Sequence, residues 1–466
     1  MREIPGPAIR DLPKRDRRGF VRTSAAAAVV AASTRAFSRT TWAARKTIGT
    51  LPKGRVLGAN DRINVAYIGV GKQGRTHVKI GKDNATAFNI QPVAVSDVYD
   101  KHLHMAQKEL GLSDAMSVRD YRRLLDRHDI DAVVVATVDN WHADVAIDAM
   151  DAGKHVYGEK PMARYLEEGF RLYDTCKRTG RVFQIGSQYL MDEKVHKAAE
   201  WIRDGRIGPL VWAQGGYCRN NKNNSEWTFP IDADATPENL DWKTWLGKAP
   251  KIPFSPERYF SWHKYYAYNS GILGNLLSHT FLPLLLASAE TGFPKRVTCT
   301  GTRAVSTDRE ITDTTHVLAE MPSGLTFCIV GSTVNEQGFA PMIRGQKGTI
   351  YLPLSDNKTS MAPERPYAEE IDAIEFSDPH TPGSVSRLEK DFYDCIRGGG
   401  RTKGHIELAL QAHVILSLAE MSERTGRTLH YDPKTRAVRD ADGRKLVPLD
   451  YKSKIAAPAM LPLNKI

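Results

Sequence analysis

Three glycines, Gly69, Gly71 and Gly74, follow one another in the order G-x-G-x-x-G and form the clearest chemical spacing in the chain. An apolar, strand-like run precedes them and a helical stretch follows. The first glycine allows a tight turn, the second lets the backbone approach a phosphate, and the third lets helix and strand pack closely. The N-terminus of the helix adds free N–H groups for an anion. The pattern predicts a dinucleotide site that includes Lys72 and Gln73, although a plain glycine-rich turn has the same spacing.

An acidic residue stands where such a cofactor would place its ribose. Asp97 lies 23 residues after Gly74, at the end of the second predicted strand. A carboxylate there accepts hydrogen bonds from both ribose hydroxyls of NAD and repels the 2′-phosphate of NADP. The sequence therefore favours NAD over NADP as the cofactor.

A lysine at the end of a later predicted strand could carry proton transfer. Lys160 stands between Glu159 and Pro161. The proline keeps Lys160 out of the helical region and makes the bond between them a candidate for cis geometry. This placement would direct the amine toward the nicotinamide, where partial burial and the positive ring lower the pKa of a lysine toward working pH. Lys160 is thus a candidate general acid or base, although an ordinary exposed turn lysine explains the spacing equally well.

Further polar residues follow the ends of neighbouring predicted strands. A continuous apolar run ends at Thr137 and is typical of a buried parallel strand, whose carboxyl end is where doubly wound sheets bind ligands. We predict that Thr137, Asn140 and His142 line the cofactor, together with Glu159. Gln188 follows the strand that leaves this domain and is a further candidate, although a polar residue in a connecting loop is the commoner explanation.

Aromatic residues are concentrated between Trp242 and Tyr268, where they alternate with basic side chains. Such a mixture suits a sugar, because its C–H faces stack on rings while its hydroxyls take polar partners. We predict substrate contacts for Trp262, His263 and Tyr265. Rings that cap the core or fill an oligomer interface are the alternative.

Together these motifs resemble the Gfo/Idh/MocA family of NAD(P)-dependent oxidoreductases over about residues 60 to 430. The residues that carry the resemblance are Gly69 to Gly74, Asp97, Asn140, His142 and, above all, Glu159-Lys160-Pro161. The resemblance implies an α/β fold in which a doubly wound Rossmann domain precedes an α/β domain with a large open, mostly antiparallel sheet. It also implies that Lys160 is catalytic, that the substrate is a sugar or related polyol, and that the chain forms a homo-oligomer. The implied reaction transfers hydride between a carbinol carbon and nicotinamide.

A second family signature, a glycine-rich turn followed by an acid and a histidine, resembles residues 269 to 279. On a helix, Asn275 and His279 lie four residues apart and share a face. His279 matches the histidine of the signature, whereas Asn275 takes the place of the acid. An amide orients a hydroxyl but carries no proton. We therefore predict that His279 assists Lys160 and that Asn275 positions hydroxyl groups, with a purely structural histidine as the alternative.

The asparagine leaves two other functions open. The pattern also resembles the NAD-dependent glycosidases of the family, in which a sugar hydroxyl is oxidised, the aglycone is eliminated and the hydride returns. The intact Glu159-Lys160-Pro161 sequence argues against this alternative. A sugar-binding protein without turnover would keep the same fold, and the intact Lys160 argues against it as well.

The charge distribution separates a basic N-terminal segment from a nearly neutral body. Residues 1–58 contain 13 Lys or Arg and 3 Asp or Glu, a net charge of +10, so 11 − 10 leaves +1 for the remainder. This balance argues against a nucleic-acid surface on the body. Arg17 and Arg18 precede an alanine-rich run that is too short to span a bilayer. The segment resembles a twin-arginine export signal, which predicts a periplasmic protein; a disordered basic tail is the alternative.

The sequence predicts four regions. No segment after the leader is apolar enough to cross a membrane, and no spacing of cysteine, histidine and carboxylates predicts a metal site. Little periodicity remains after Leu429. The regions are a leader and linker (1–58), a Rossmann domain (59–182), a substrate-binding and oligomerisation domain (183–430) and a C-terminal tail (431–466).

Overall fold

The computed structural model describes residues 61–453, in which the chain forms two sheets; the predicted leader lies outside these residues. The strands of the first sheet are β1 (Ile63–Ile68), β2 (Ile90–Ser96), β3 (Ser117–Val118), β4 (Ala132–Val135), β5 (His155–Glu159) and β6 (Phe183–Gly186). They are parallel and follow the order β3-β2-β1-β4-β5-β6. Tyr67 of β1 lies in register between Val95 of β2 and Val134 of β4. The continuous apolar runs are thus the buried central strands of a parallel sheet.

Helices alternate with these strands. They are α1 (Lys72–Asp83), α2 (Asp100–Leu110), α3 (Arg122–Leu125), α4 (Asp139–Asp151) and α5 (Leu166–Thr179). This alternation confirms the predicted doubly wound domain. Its last strand, β6, lies beyond the predicted boundary at residue 182, because the chain completes the sheet before it enters the second domain.

The second sheet is large and mostly antiparallel, as predicted. Its strands are β7 (Leu210–Asn220), β8 (Arg296–Thr302), β9 (Thr314–Glu320), β10 (Thr326–Ser332), β11 (Val334–Asn335), β12 (Met342–Gly345), β13 (Gly348–Tyr351), β14 (Lys358–Pro363), β15 (Ile374–Ser377), β16 (Leu429–Asp432), β17 (Ala437–Asp440) and β18 (Lys445–Leu446). Their order is β15-β14-β13-β12-β7-β10-β9-β8-β16-β17-β18, and β11 pairs with β7. β7 and β10 run parallel to each other.

In the part of the chain that the structure describes, six α-helices follow β6. They are α6 (Glu193–Arg203), α7 (Trp242–Leu246), α8 (Pro256–Phe260), α9 (Ser278–Ser288), α10 (Val385–Gly398) and α11 (Ile406–Thr425). Shorter helical turns lie at Asp114–Met116, Gln188–Met191, Lys222–Asn224, Trp262–Lys264, Leu273–Leu277 and Arg365–Tyr367. Helix α9 packs on β7, and α11 packs on β8. Among the described residues, no helix has the length and apolar character that a membrane span requires.

The predicted C-terminal tail begins at residue 431, and residues 431–446 instead belong to the second sheet. This stretch forms strands β17 and β18 and the second half of β16, which extend the second sheet beyond β8. Its strands are two to four residues long, too short for an alternating apolar pattern to show in the sequence. These short strands form because they pair with the edge of the sheet, and their local sequence alone does not specify strand structure.

The chain between β7 and α9 forms a long excursion, which we call the cross-domain segment (residues 221–268). It contains short helical turns and no strand. Its buried apolar residues pack into a second cluster, separate from the main core. The members of this cluster are Tyr99, Ala235, Leu240, Trp245, Leu246, Ala249, Tyr259 and Tyr268.

Candidate active site

The glycine turn after β1 has the geometry that a pyrophosphate site needs. Gly69 has a φ of +78°, and a Cβ at this position would lie 2.7 Å from the backbone nitrogen of Thr137. A Cβ on Gly74 would lie 1.9 Å from the carbonyl oxygen of Gly69. Helix α1 begins at Lys72, and its N-cap, Gly71, has no side chain to satisfy the first N–H groups. These residues therefore fit a dinucleotide pyrophosphate at the helix N-terminus.

The carboxylate of Asp97 lies next to this turn at the end of β2. Its Oδ2 accepts from the N–H of Val70 at 2.8 Å, and its Oδ1 accepts from the N–H of Tyr99 at 2.9 Å. Burial raises the pKa of Asp97, whereas the His102 ring, 3.8 Å away, and the backbone donors oppose that rise. A carboxylate has about four acceptor positions, so lone pairs remain for a ribose diol. The preference for NAD over NADP stays a prediction.

Glu159 is buried and links the glycine-turn helix to the lysine. Its Oε1 lies 2.9 Å from Nε2 of His77 and accepts from the amide of Gln73 at 3.2 Å. Its Oε2 accepts from the N–H of Lys160 at 3.1 Å. Burial alone would lower the pKa of His77, but Glu159 and Glu389 raise it to about 10. The imidazolium thus joins two carboxylates, and the structure gives Gln73 and Glu159 a positioning role; direct cofactor contacts by them stay predictions.

The amine of Lys160 and residue Asn275 come together in the structure. The Lys160–Pro161 peptide bond is cis. Nζ of Lys160 donates to the backbone carbonyl of Asn275 at 3.1 Å. This carbonyl lies in the π-helical turn Leu273–Leu277, and the side-chain amide of Asn275 donates to Oδ1 of Asn269 at 3.2 Å. Asn275 therefore meets the lysine through its backbone, while its side chain holds the turn.

His279 lies beside the lysine, between two tyrosines. The centre of its ring is 5.7 Å from that of Tyr217 and 6.3 Å from that of Tyr189. Its Nδ1 is buried and has no hydrogen-bond partner among the described residues. Burial and the charge of Lys160 lower the pKa of His279 to about 3. The imidazole is therefore neutral near pH 7, so it can orient a hydroxyl but does not supply a proton as an imidazolium.

His263 is a second neutral histidine in the same region. Its ring stacks on Trp262 with centres 3.8 Å apart and lies nearly parallel to Trp227 at 6.1 Å. Burial, followed by the charges of Lys160 and Lys72, lowers the pKa of His263 to about 3. Trp227 has a φ of 62°, a strained conformation for a non-glycine residue that is commoner at functional sites. His263 thus lies within electrostatic range of Lys160, and Trp262 stacks on its ring.

Other rings of the aromatic segment lie away from the lysine. The hydroxyl of Tyr265 donates to Glu257, and the Arg258 guanidinium lies 3.9 Å from the centre of the Tyr265 ring. Tyr259 packs edge-on against Tyr99, with ring centres 5.8 Å apart. These contacts agree with the alternative explanation for the segment, in which its rings pack within an apolar cluster. The position of Tyr265 does not support a substrate contact, which stays a prediction.

The polar residues after β4 make mainly internal contacts. Nδ1 and Nε2 of His142 lie 2.7 and 3.0 Å from the carbonyl oxygens of Pro161 and Thr137. His142 therefore ties the end of β4 to the turn after Lys160. The side-chain nitrogen of Asn140 donates to the carbonyl of Leu246 at 3.5 Å, and its Oδ1 is buried without a partner among the described residues. That oxygen is free to accept a hydrogen bond from a cofactor amide.

The wall formed by the end of β7 was missed by the sequence analysis. Arg219 donates to the hydroxyl of Tyr217 at 2.9 Å and to Glu226 at 3.0 Å. Gln188, the predicted candidate, lies in the turn Gln188–Met191, where its neighbour Tyr189 faces His279. The alternation within β7 could have identified Tyr217 and Arg219 as residues on one side of the strand. Only the approach of β7 to α9 shows that Tyr217 lies against His279.

The sequence analysis also missed Asp139, which lies near Lys160, and Phe229, which lies near Lys72. Asp139 is buried directly after the β4 turn, its Oδ2 has no partner among the described residues, and burial raises its pKa to about 6. The ring of Phe229 lies 5.1 Å from Nζ of Lys72. Asp139 belongs to the Thr137–His142 motif and could have been selected with it, whereas Phe229 has no local sequence signal.

One group of side chains in the described residues has metal-like spacing. Glu193, Asp378 and His380 have ligand atoms within 4.8 Å of one another. Nδ1 of His380 lies 3.2 Å from Glu193 and 3.3 Å from Asp378, so hydrogen bonds and ion pairing among the three account for the cluster. The sequence did not identify this group.

The two sheets, the glycine turn and the lysine at a strand end define a two-domain dinucleotide-binding oxidoreductase fold. Residues 63–187 match the NAD-binding Rossmann fold of the Gfo/Idh/MocA oxidoreductase family, and residues 218–455 match the C-terminal alpha/beta domain of this oxidoreductase family. The chain belongs to this family, which confirms the resemblance found in the sequence.

Similar proteins fall into two groups. An alpha-N-acetylgalactosaminidase from Shewanella oneidensis is 28% identical over 165 residues, which cover 33% of this chain and 35% of that protein. A glycosyl hydrolase family 109 protein from Shewanella pealeana is 29% identical over 214 residues, 44% of this chain and 46% of that protein. The chain thus spans less than half the length of these curated relatives.

The second group consists of solved structures. Levoglucosan dehydrogenase in complex with NADH and levoglucosan superposes with a TM-score of 0.61 at 20% identity, over 79% of this chain and 99% of that chain. Aldose-aldose oxidoreductase from Caulobacter crescentus, complexed with glycerol, gives a TM-score of 0.60 at 18% identity over 79% and 99% of the two chains. At these identities the likeness shows the fold alone.

Proposed function

We propose that this protein is an NAD-dependent oxidoreductase that transfers hydride between a sugar or polyol carbinol and nicotinamide. The observation that carries the proposal is the placement of the Lys160 amine, which donates to the Asn275 carbonyl and lies near enough to His279 and His263 for its charge to act on both rings. A polyhydroxylated substrate suits this site, because its hydroxyls can hydrogen-bond to the neutral imidazoles and its C–H faces can pack on the aromatic rings. The similar dehydrogenase structure with bound NADH and levoglucosan supports the same class of substrate.

Each residue of the site has a distinct task in this proposal. Lys160 accepts the hydroxyl proton of the substrate when its amine is neutral and returns it in the reverse direction. Neutral His279 offers its ring nitrogens to a neighbouring hydroxyl, which fixes the carbinol near the lysine. The glycine turn and Asp97 bind the pyrophosphate and ribose. When bound, NAD supplies the hydride acceptor.

A redox-neutral, NAD-dependent glycosidase or lyase that works through a keto-sugar is the second candidate. Two observations favour it: the curated relatives with glycosidase names, and the amide of Asn275 where an acid would complete a proton relay. In this alternative, oxidation of a ring hydroxyl would acidify the adjacent C–H group and allow the aglycone to leave by elimination. For a glycosidase, water would then add to the resulting double bond before the hydride returns to the carbonyl carbon.

One assay separates the two candidates. Purified protein is mixed with free sugars, including levoglucosan and L-sorbose, and with nitrophenyl glycosides, including an α-N-acetylgalactosaminide. Absorbance is followed at about 340 nm for NADH and about 400 nm for nitrophenol. A rise at the lower wavelength with free sugars would support the oxidoreductase, whereas nitrophenol release without NADH accumulation would support the glycosidase.

Lys160→Ala and a matched surface variant complete the assay. Lys79 is an exposed lysine on α1 that pairs with Asp83, so Lys79→Ala should leave turnover unchanged. If the protein is instead a sugar-binding protein without catalytic activity, no substrate in the panel will turn over. Sugar binding measured by calorimetry would then be the remaining signal, in the wild type and both variants.

We also propose that the protein is exported to the periplasm through the twin-arginine route. The basis is the Arg17-Arg18 pair before the alanine-rich run, in residues that lie outside those the structure describes. Replacing both arginines with lysine should retain the protein in the cytoplasmic fraction, measured by fractionation and immunoblot. Unchanged periplasmic recovery would contradict the proposal.

A further inference from the structure

The cross-domain segment (residues 221–268) joins the Rossmann domain directly at the end of β2. The N–H of Asp241 donates to the carbonyl of Val98, and the N–H of Asp100 donates to the carbonyl of Asn239, both at 2.9 Å. Between these two bonds, Tyr99 and Leu240 form an antiparallel bridge. The segment is therefore paired, backbone to backbone, with the residues that directly follow Asp97.

Side chains reinforce this junction. Asp232 accepts from the hydroxyl of Tyr99 at 2.9 Å and pairs with Lys101 at 2.6 Å. The hydroxyl of Tyr259 lies 3.4 Å from Nδ1 of His102. The His102 ring is itself 3.6 Å from the position that a Cβ on Gly71 would take. The segment thus reaches the edge of the predicted ribose and pyrophosphate site.

The same segment touches the other strand ends along the path of a dinucleotide. After β4, the indole N–H of Trp141 donates to the carbonyl of Trp245 at 2.9 Å. After β1, the ring of Phe229 lies below the amine of Lys72. After β5, His263 lies close enough to Lys160 for the charge of Lys160 to lower its pKa. Contacts after β1, β2 and β4, together with the effect of the Lys160 charge on His263 after β5, place the segment across the carboxyl edge of the sheet, where doubly wound folds bind their cofactor.

Apolar packing holds the segment in this position. Seven of the eight buried members of the second apolar cluster come from the segment, and the eighth is Tyr99. Lifting the segment from the sheet edge would expose Tyr99 and part of the cluster and would break the backbone pairing. Each large ring carries a substantial cost of exposure, so the open state is rarely populated.

We propose that the cross-domain segment is a clasp that retains NAD between turnovers, so that the cofactor works as a bound prosthetic group. This inference rests on the proposed use of NAD at this site. A retained cofactor must pass each hydride it takes up to a carbonyl compound, either the oxidised intermediate itself or a second sugar, before the next turnover. The protein would then not draw on a pool of free NAD.

The test measures release of NAD, without any sugar substrate. The full chain is loaded with NAD deuterated on the nicotinamide ring and then mixed with excess unlabelled NAD, and mass spectrometry follows the label that stays bound. Asp232→Ala removes the contacts with Tyr99 and Lys101 from the clasp. Asp174→Ala is the matched control, because it removes an ion pair between α5 and Arg436 at a distance from the clasp. Trp141→Phe, which removes a single hydrogen bond to the clasp, is a second variant.

We expect the wild type to retain label for hours and Asp232→Ala to release it about fivefold to tenfold faster, since the lost contacts are of ordinary hydrogen-bond strength. Trp141→Phe should show a smaller increase, and Asp174→Ala none. Release from the wild type within seconds, or equal rates in Asp232→Ala and Asp174→Ala, would overturn the clasp while leaving the proposed function intact. Failure of the folded wild type to bind any dinucleotide would overturn both. Circular dichroism checks that each variant is folded.

Discussion

At the scale of single residues, the chemistry of the site depends on which groups carry charge. His263 and His279 are held neutral by burial and nearby cations, whereas His77 is held protonated by two carboxylates. Three histidines of the same chain thus serve different purposes because their neighbours differ. Proton transfer in the proposed reaction therefore falls to Lys160.

Replacing Lys160 with alanine tests this assignment. We expect turnover to fall by about 10³-fold, within the range usual for loss of a general acid or base. NAD binding should be retained, because the glycine turn and Asp97 do not depend on the amine. Stopped-flow or steady-state absorbance measures the rate, and calorimetry measures NAD affinity. Turnover within tenfold of the wild type would exclude Lys160 as the proton carrier.

Replacing Asn275 with aspartate tests whether the amide is a substitute for a catalytic acid. The side chain of Asn275 donates to Oδ1 of Asn269, which also accepts from the N–H of Gly271 at 2.5 Å. A carboxylate would face this oxygen without a proton to donate, so we expect Asn275→Asp to lower the free energy of unfolding by about 1–3 kcal/mol. No increase in turnover should accompany it. Denaturant unfolding and the 340 nm assay check both; higher activity at unchanged stability would refute the structural role.

At the scale of elements, helix α11 carries two buried glutamates with opposite electrostatics. Glu420 receives two hydrogen bonds from Arg164, at 2.7 and 2.8 Å, and their attraction outweighs burial, so its pKa is lowered. Glu423 has no such ion pair within residues 61–453, and burial raises its pKa from 4.5 to about 7 despite hydrogen bonds from Thr312 and Tyr266. The two residues lie about one turn apart on the helix that packs against β8.

This contrast predicts opposite effects of the same substitution. The pKa of Glu423 is higher in the folded state than in the unfolded state. The stability that its protonated form contributes to the folded state is therefore full below pH 4.5 and is lost as the pH rises from 4.5 to about 7. At pH 8, Glu423→Gln should therefore increase the free energy of unfolding, by at most about 3 kcal/mol for a shift of this size. Glu420→Gln should decrease it by about 3–5 kcal/mol, because the buried Arg164 would lose its counter-charge. Denaturant unfolding at pH 5 and pH 8 measures both, and equal effects of Glu423→Gln at the two pH values would contradict this account.

At the scale of the whole molecule, the open face of the second sheet presents a row of four apolar side chains and one glutamine. The row crosses five strands in register and consists of Leu318, Cys328, Gln214, Met342 and Tyr351. Leu318 and Tyr351 are 50% and 43% exposed. Helices α9 and α11 pack on this sheet, and the exposed side chains of the row form a surface available to a second copy of the chain.

A charged residue in this row should prevent assembly. We predict that the wild type is a homo-oligomer and that Leu318→Arg dissociates it toward the monomer, measured by light scattering after size exclusion. Val447→Arg is the control, because Val447 is 84% exposed and lies outside the row. A monomeric wild type, or equal masses for wild type and Leu318→Arg, would contradict the prediction.

The sequence by itself determined the Rossmann domain and the glycine turn. Alternating apolar runs and helical stretches are local patterns, and the glycines at 69 and 74 are required by contacts within a single β-α-β unit. The position of Lys160 at the end of β5 also follows from a local pattern, because the predicted strand ends just before it. The family motifs added the expectation of a second, mostly antiparallel sheet, which the structure contains.

Only the tertiary structure decided which residues surround the lysine. Tyr217 lies against the ring of His279, Trp227 lies against that of His263, and Arg219 donates to the Tyr217 hydroxyl. No spacing in the sequence encodes the two ring contacts, because the partners in each lie far apart in the chain. Likewise, the aromatic residues between Trp242 and Tyr268 look alike as a sequence, yet some line the site and others fill the second apolar cluster. Burial and long-range packing assign these roles, because they depend on contacts between residues more than a hundred positions apart.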